Sequence, residues 1–88
     1  METLKSLDQF RELLEIGYEI NFNLGGKHWL VEPDQQAPDS SPKTVLVSTD
    51  QDNLDFIARF KNIDDFFNYE IDGKKIKDNW QNIVITDY

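Results

Sequence analysis

From Tyr18 the chain alternates without a break: Tyr18, Ile20, Phe22 and Leu24 are apolar, while Glu19, Asn21 and Asn23 are polar. A period of two is the signature of a strand with one face in a core. Gly25-Gly26 follows directly, and then a second short run, Lys27 to Glu32. Two glycines in succession suit the positive backbone angles of a two-residue hairpin turn, whose twist matches that of the strands it joins. The turn sets the register. Phe22 faces Trp29 and Ile20 faces Val31 on the inner side, while Asn23 meets His28 and Asn21 meets Leu30 on the outer side. A hairpin over 18–32 with one apolar face needs another element laid against that face.

The segment before the hairpin supplies one. Ser6 and Gln9 have the spacing of a reciprocal helix cap, Asp8 sits in the first turn, and Leu7, Phe10 and Leu14 fall on one helical face flanked by Leu4 and Leu13. Gly17 closes the helix just where the period changes from 3.6 to 2. After the hairpin, TVLVST over 44–49 is a β-branched run. Leu54 to Phe60 reads as a strand through Phe56, Ala58 and Phe60, with a helix through Leu54, Ile57 and Ala58 as its rival. Asn62 has the character of a helix cap, with Asp64 and Asp65 behind it and Ile63, Phe66 and Phe67 turned inward. Asp72-Gly73 signals a turn that would pair Glu70 with Lys75. Against it, Ile76 and Trp80 sit four apart, as on a short helix ending near Asn82, and the helix is favoured. Ile83 to Thr86 closes the chain as a strand. The expected fold is a single α+β domain over 1–88: an N-terminal helix, an antiparallel four-stranded meander, then short helices and a C-terminal strand packed on it.

Residues 33–43, PDQQAPDSSPK, contain every proline and no large apolar residue, so they read as a long mobile loop. Loops of this length are either functional or simply unstructured. No repeat recurs along the chain.

The 88 residues suffice for one core, and 12% of them are aromatic, which gives a small domain large buried rings. There is no cysteine, so disulfides and thiolate metal sites are excluded, and a reducing cytoplasm fits best. An acidic amino terminus and the lack of a long apolar stretch point away from export and membrane insertion. With 17 acidic and 9 basic residues the formal charge is −8, which repels phosphate backbones and argues against direct nucleic-acid binding. The charge is dispersed over both halves of the chain, as solubility alone would require.

The stretches GYEINFNLGGKHWLVEP and NIDDFFNYEIDGKKI together resemble small uncharacterised bacterial α+β proteins, many from Gram-positive species and their mobile elements. The resemblance spans about half the chain and rests on a glycine-led hairpin and a turn before a Lys-rich segment. These are fold signals. No catalytic or binding residue carries over, and what the resemblance implies is an accessory role encoded near mobile DNA.

Chemical sites fail one by one. His28 is the single histidine, and in a hairpin between Lys27 and Trp29 it reads as an exposed strand residue rather than the base of a triad. Asp50 and Asp52 begin like a calcium loop, but Leu54 occupies the next alternate position and neither the required glycine nor the closing Glu follows, so turn residues are the simpler reading. Gly25-Gly26 leads into a strand and not a helix, so it is no phosphate loop. Lys74, Lys75 and Lys77 beside Trp80 resemble a base-stacking patch less than a solvated helix face. The expectation is therefore a non-enzymatic protein without a cofactor or metal.

The outer face of the sheet offers a different kind of site. If Phe22, Val45 and Phe56 point to the helices, Leu30, Leu46 and Ile57 point away on successive strands and form an apolar patch for a protein partner or a second copy of the chain. Scattered surface apolar residues are the plainer alternative. A second possibility is an acidic mimic occupying the nucleic-acid groove of a basic protein through Asp50, Asp52, Asp55, Asp64 and Asp65; ordinary solubility explains the same charge.

Overall fold

In the computed structural model residues 2–33 and 44–88 are described. The expected loop over 33–43 therefore lies outside the described residues but for Pro33, which ends a strand.

The elements follow as β1 (Glu2–Thr3), α1 (Leu7–Ile16), β2 (Ile20–Leu24), β3 (Lys27–Pro33), β4 (Thr44–Ser48), β5 (Ile57–Phe60), α2 (Ile63–Phe67), β6 (Glu70–Ile71), β7 (Lys74–Lys75), α3 (Ile76–Asn79), a 3-10 turn (Trp80–Asn82) and β8 (Val84–Asp87). The fold is α+β. Its main sheet has six strands in the order β1-β8-β2-β3-β4-β5, and β6 and β7 form a separate two-stranded ribbon. The expected meander is thus four of six strands. The closing strand does not pack on the sheet. It enters it, lying antiparallel between β1 and β2 with Phe22 opposite Ile85 and Thr3 opposite Val84. Strand β1 is two residues long, too short for periodicity to reveal. The register of β2 against β8 shifts between Asn21 and Phe22, and there the Thr86 hydroxyl donates to the Asn21 carbonyl at 3.2 Å. Thr86 is the extra residue of this bulge, with no partner of its own across the β2 ladder.

The first hairpin follows the Gly-Gly turn. Ile20 pairs with Val31, Asn21 with Leu30, Phe22 with Trp29 and Asn23 with His28. Gly25 and Gly26 take φ of 64° and 73°, the two consecutive positive angles of a type I′ turn. Asp72 and Gly73 repeat the device at 55° and 82°, pairing Glu70 with Lys75. The two rival readings of this segment are both realised, one after the other: the ribbon comes first, and Ile76, whose N–H donates to the Tyr69 carbonyl at 3.0 Å, opens α3.

Helix α1 begins as its cap predicts, with the Gln9 N–H donating to Ser6 Oγ at 3.0 Å. The return bond lands one residue early, from the Lys5 N–H to Gln9 Oε1 at 2.7 Å. The helix ends at Gly17, in the left-handed conformation, with its N–H on the Leu14 carbonyl. Asn62 Oδ1 caps α2 by accepting from the Asp65 N–H at 2.8 Å.

One face of the sheet carries the core. Ile20, Phe22, Leu24, Trp29, Val31, Leu46 and Ile85 are buried there against Phe10 and Leu14 of α1, Phe66 and Phe67 of α2, and Ile71, Ile76 and Ile83. Phe10 sits at the centre. Its ring lies 5.9 Å from that of Phe22, 5.8 Å from Phe66 and 5.7 Å from Phe67. Each such aromatic contact adds about 0.5–1.5 kcal/mol beyond the area it buries. The Trp29 indole N–H is satisfied by the Leu24 carbonyl at 3.4 Å, so the ring enters the core without an orphan donor. Arg11 pairs with Asp64 and lies over the Phe67 ring, 5.0 Å from its centroid, which ties α1 to α2 at the rim.

Candidate functional site

With the helices on one side, the outer face of the sheet is the surface on which the sequence places its partner-binding candidates. Leu30 and Ile57 do lie there. In register across β3, β4 and β5 runs the row Leu30, Val47, Ile57. Neighbouring strands are about 4.8 Å apart, so the row is an apolar strip of roughly 10 Å. Ile57 is 52% exposed, and Leu30 and Val47 are half-buried.

Leu46 is not part of it. It pairs with Val31 and Ala58 on the core side and is fully buried. Val45, expected inward, takes the outer side between Glu32 and Arg59. The slip is one residue, which in a strand exchanges the two faces. Its origin is the polar ends of β4. Thr44 and Ser48 mark the even positions as solvent-facing, yet both are buried. Ser48 is stable inside because its hydroxyl accepts the Asp50 N–H at 3.2 Å, where the strand leaves the sheet. Val47 is the residue the sequence reading missed. The signal for it lay in the Gly-Gly turn, which fixes Leu30 outward, but no tight turn carries that register from β3 into β4.

A second constellation forms at the sheet end that carries the first hairpin tip. The Asp50 carboxylate accepts the His28 backbone N–H at 2.9 Å with one oxygen and meets His28 Nδ1 at 2.6 Å with the other. The Thr49 N–H in turn donates to the His28 carbonyl at 3.0 Å. The backbone bond, then the ring, holds the Asp50 carboxyl below the usual carboxylate range. Lys27 reaches Asp72 at 3.5 Å, bringing the two hairpin turns together. Beside them Gly26, Lys27, Asp50, Asp52 and Asn53 line an open depression of about 370 Å³. Sequence spacing gave no hint of the His28–Asp50 pair, since the partners are 22 residues apart.

This pair is two thirds of a hydrolytic triad in composition. The imidazole is oriented by a carboxylate, as a general base requires, and among the described residues no hydroxyl bonds to it. No group of three or more potential metal ligands occurs among the described residues. No helix among them is long and apolar enough to cross a membrane. Of the five carboxylates of the acidic-mimic reading, Asp50 is engaged by His28 and Asp64 by Arg11.

Comparison with known protein families, with characterised proteins and with solved structures finds no match for this chain.

Proposed function

We propose that this chain is a small non-enzymatic interaction protein, working in a reducing, cytoplasmic setting, that binds a protein partner through the outer face of its sheet. The observation that carries the reading is the apolar row Leu30, Val47, Ile57, which runs without a polar interruption to β5, the last strand of the sheet among the described residues. An apolar strip at a sheet edge offers side-chain contacts on the face and main-chain hydrogen bonds along the edge, the two terms a partner strand or loop uses. The dispersed negative charge keeps the free protein soluble while the strip is uncovered.

A photo-crosslinking amino acid at position 57, introduced in the cell that makes the protein, tests this. A discrete protein adduct is expected there and none from the same group at Glu12, which is exposed on α1. Val47→Asp should abolish the adduct in a protein that still folds, because Val47 lies on the outer face. The corresponding change at Leu46 is uninformative, since it places a charge in the core. Identical adducts from positions 57 and 12, or an adduct indifferent to Val47→Asp, overturns the proposal.

A further inference from the structure

Five large apolar side chains are exposed among the described residues, and three of them, Ile16, Tyr18 and Tyr88, gather where α1 ends and β8 runs out. Tyr18 is 41% and Tyr88 51% exposed, yet their rings meet edge to face at 5.4 Å across 70 residues of sequence. Ile16, two residues before Tyr18, is 62% exposed. Pro33, at the end of β3, adjoins Gly17 at the same corner. Tyr18 heads the alternating run that forms β2, but the strand starts only at Ile20, so its ring is left outside the core.

The charged residues next to Ile16 and Tyr18 in the chain are both acidic. Glu15 and Glu19 are exposed there, whereas Asp87, paired with Asn21, belongs to the outer-face row that continues through Leu30. The corner is also the carbonyl end of α1, the negative pole of the helix dipole, and no basic residue lies in the helix's last turn to offset it. Aromatic faces, carboxylates and a helix C-terminus all favour a cation, and a long cationic side chain satisfies them together by laying its alkyl stem on the rings and its head among the carboxylates.

We propose that the corner formed by Ile16, Tyr18 and Tyr88, flanked by Glu15 and Glu19, docks an Arg- or Lys-bearing segment of a partner protein. It is a second surface, independent of the outer-face strip, and its occupant is set by charge complementarity rather than by apolar area alone. A free cationic segment in an acidic chain's vicinity is drawn to every carboxylate; the tyrosine pair is what makes this corner stronger than the others.

The test is an amide-resolved NMR titration with an acetylated hexa-arginine peptide. Shifts should centre on residues 15–19 and 86–88. A Tyr18→Ser, Tyr88→Ser double variant, altered only at exposed positions and checked for folding by the same spectra, should bind about fivefold or more weakly. Asp52→Asn, at the hairpin-tip end of the sheet beside Gly26 and Lys27, should weaken binding less than twofold. Val47→Asp should leave this titration unchanged, which separates it from the crosslinking result. Shifts spread evenly over Asp8, Asp52 and Asp65 as well, an unchanged affinity in the double variant, or shifts at the corner on simple dilution, as a second copy of the chain would give, overturns the proposal.

Discussion

At the level of single residues, Asp50 shows how a side chain can serve the fold while resembling catalytic machinery. Its two oxygens bridge from the β4–β5 connection to the His28 backbone and ring, so the carboxylate fastens one loop to the edge of the first hairpin. The His28 N–H and ring lower its pKa in the folded chain. A carboxyl depressed on folding contributes stability that is fully present above its unfolded value, about 4, and is lost as pH falls through the folded value. Asp50→Asn should therefore lower the thermal midpoint at about pH 6, and the gap between variant and parent should close as pH falls below about 4. Parallel melts of the two proteins across that range check it; a gap that stays constant down to pH 2 would show that the carboxylate charge is not what fastens the loop. The same scale explains the exchange of Leu46 for Val47. A strand whose two faces are both apolar, TVLVS, has no alternation to read. Its two polar residues are the misleading ones, because the hydroxyl of Ser48 finds a backbone partner inside.

Whole elements were legible wherever a cap or a turn punctuates the chain. Ser6, Gly17, Gly25-Gly26, Asn62 and Asp72-Gly73 each mark a boundary that the structure keeps. Where punctuation is absent the reading faltered. Strand β5 occupies only Ile57–Phe60 of the seven-residue run expected, and β1 left no trace in the pattern at all. The candidate strip suffered for the same reason, since its β3 and β5 members were placed correctly and only its β4 member slipped. Caps also have an energetic consequence that separates local from global structure. Ser6→Ala removes the acceptor for the Gln9 N–H and should cost about 1 kcal/mol. Because Phe10 and Leu14 of this helix are in the core, the loss should appear in the unfolding of the entire domain, as a midpoint lowered by about 5 °C in a single transition. A thermal melt followed at once by far-ultraviolet dichroism and by Trp fluorescence makes the comparison: α1 fraying ahead of the Trp29 environment would mean that the helix is held less tightly than its buried ring contacts imply.

For the molecule as a whole, the decisive feature is that the last strand lies inside the sheet. β8 hydrogen-bonds to β2 on one side and β1 on the other, and Ile85 is buried opposite Phe22. Residues at the two ends of the chain are thereby neighbours, and a chain that ended at Ile83 would leave β1 with no strand to pair with and would uncover the edge of β2, three of whose five residues are core. Nothing local can substitute for this closure, because both of its strand pairings are long-range and the loop entropy it must overcome is recovered only when the full sheet forms. Removal of residues 84–88 should therefore abolish the cooperative transition rather than trim the stability. The truncated chain should retain helical dichroism from α1 at most, lose the dispersed amide spectrum, and show rapid hydrogen exchange in β2 and β3, which it does not touch in sequence. If instead the β2–β3–β4–β5 meander kept slow-exchanging amides without β8, the four-stranded unit legible in the sequence would be a self-sufficient folding unit, and the six-stranded sheet an extension of it.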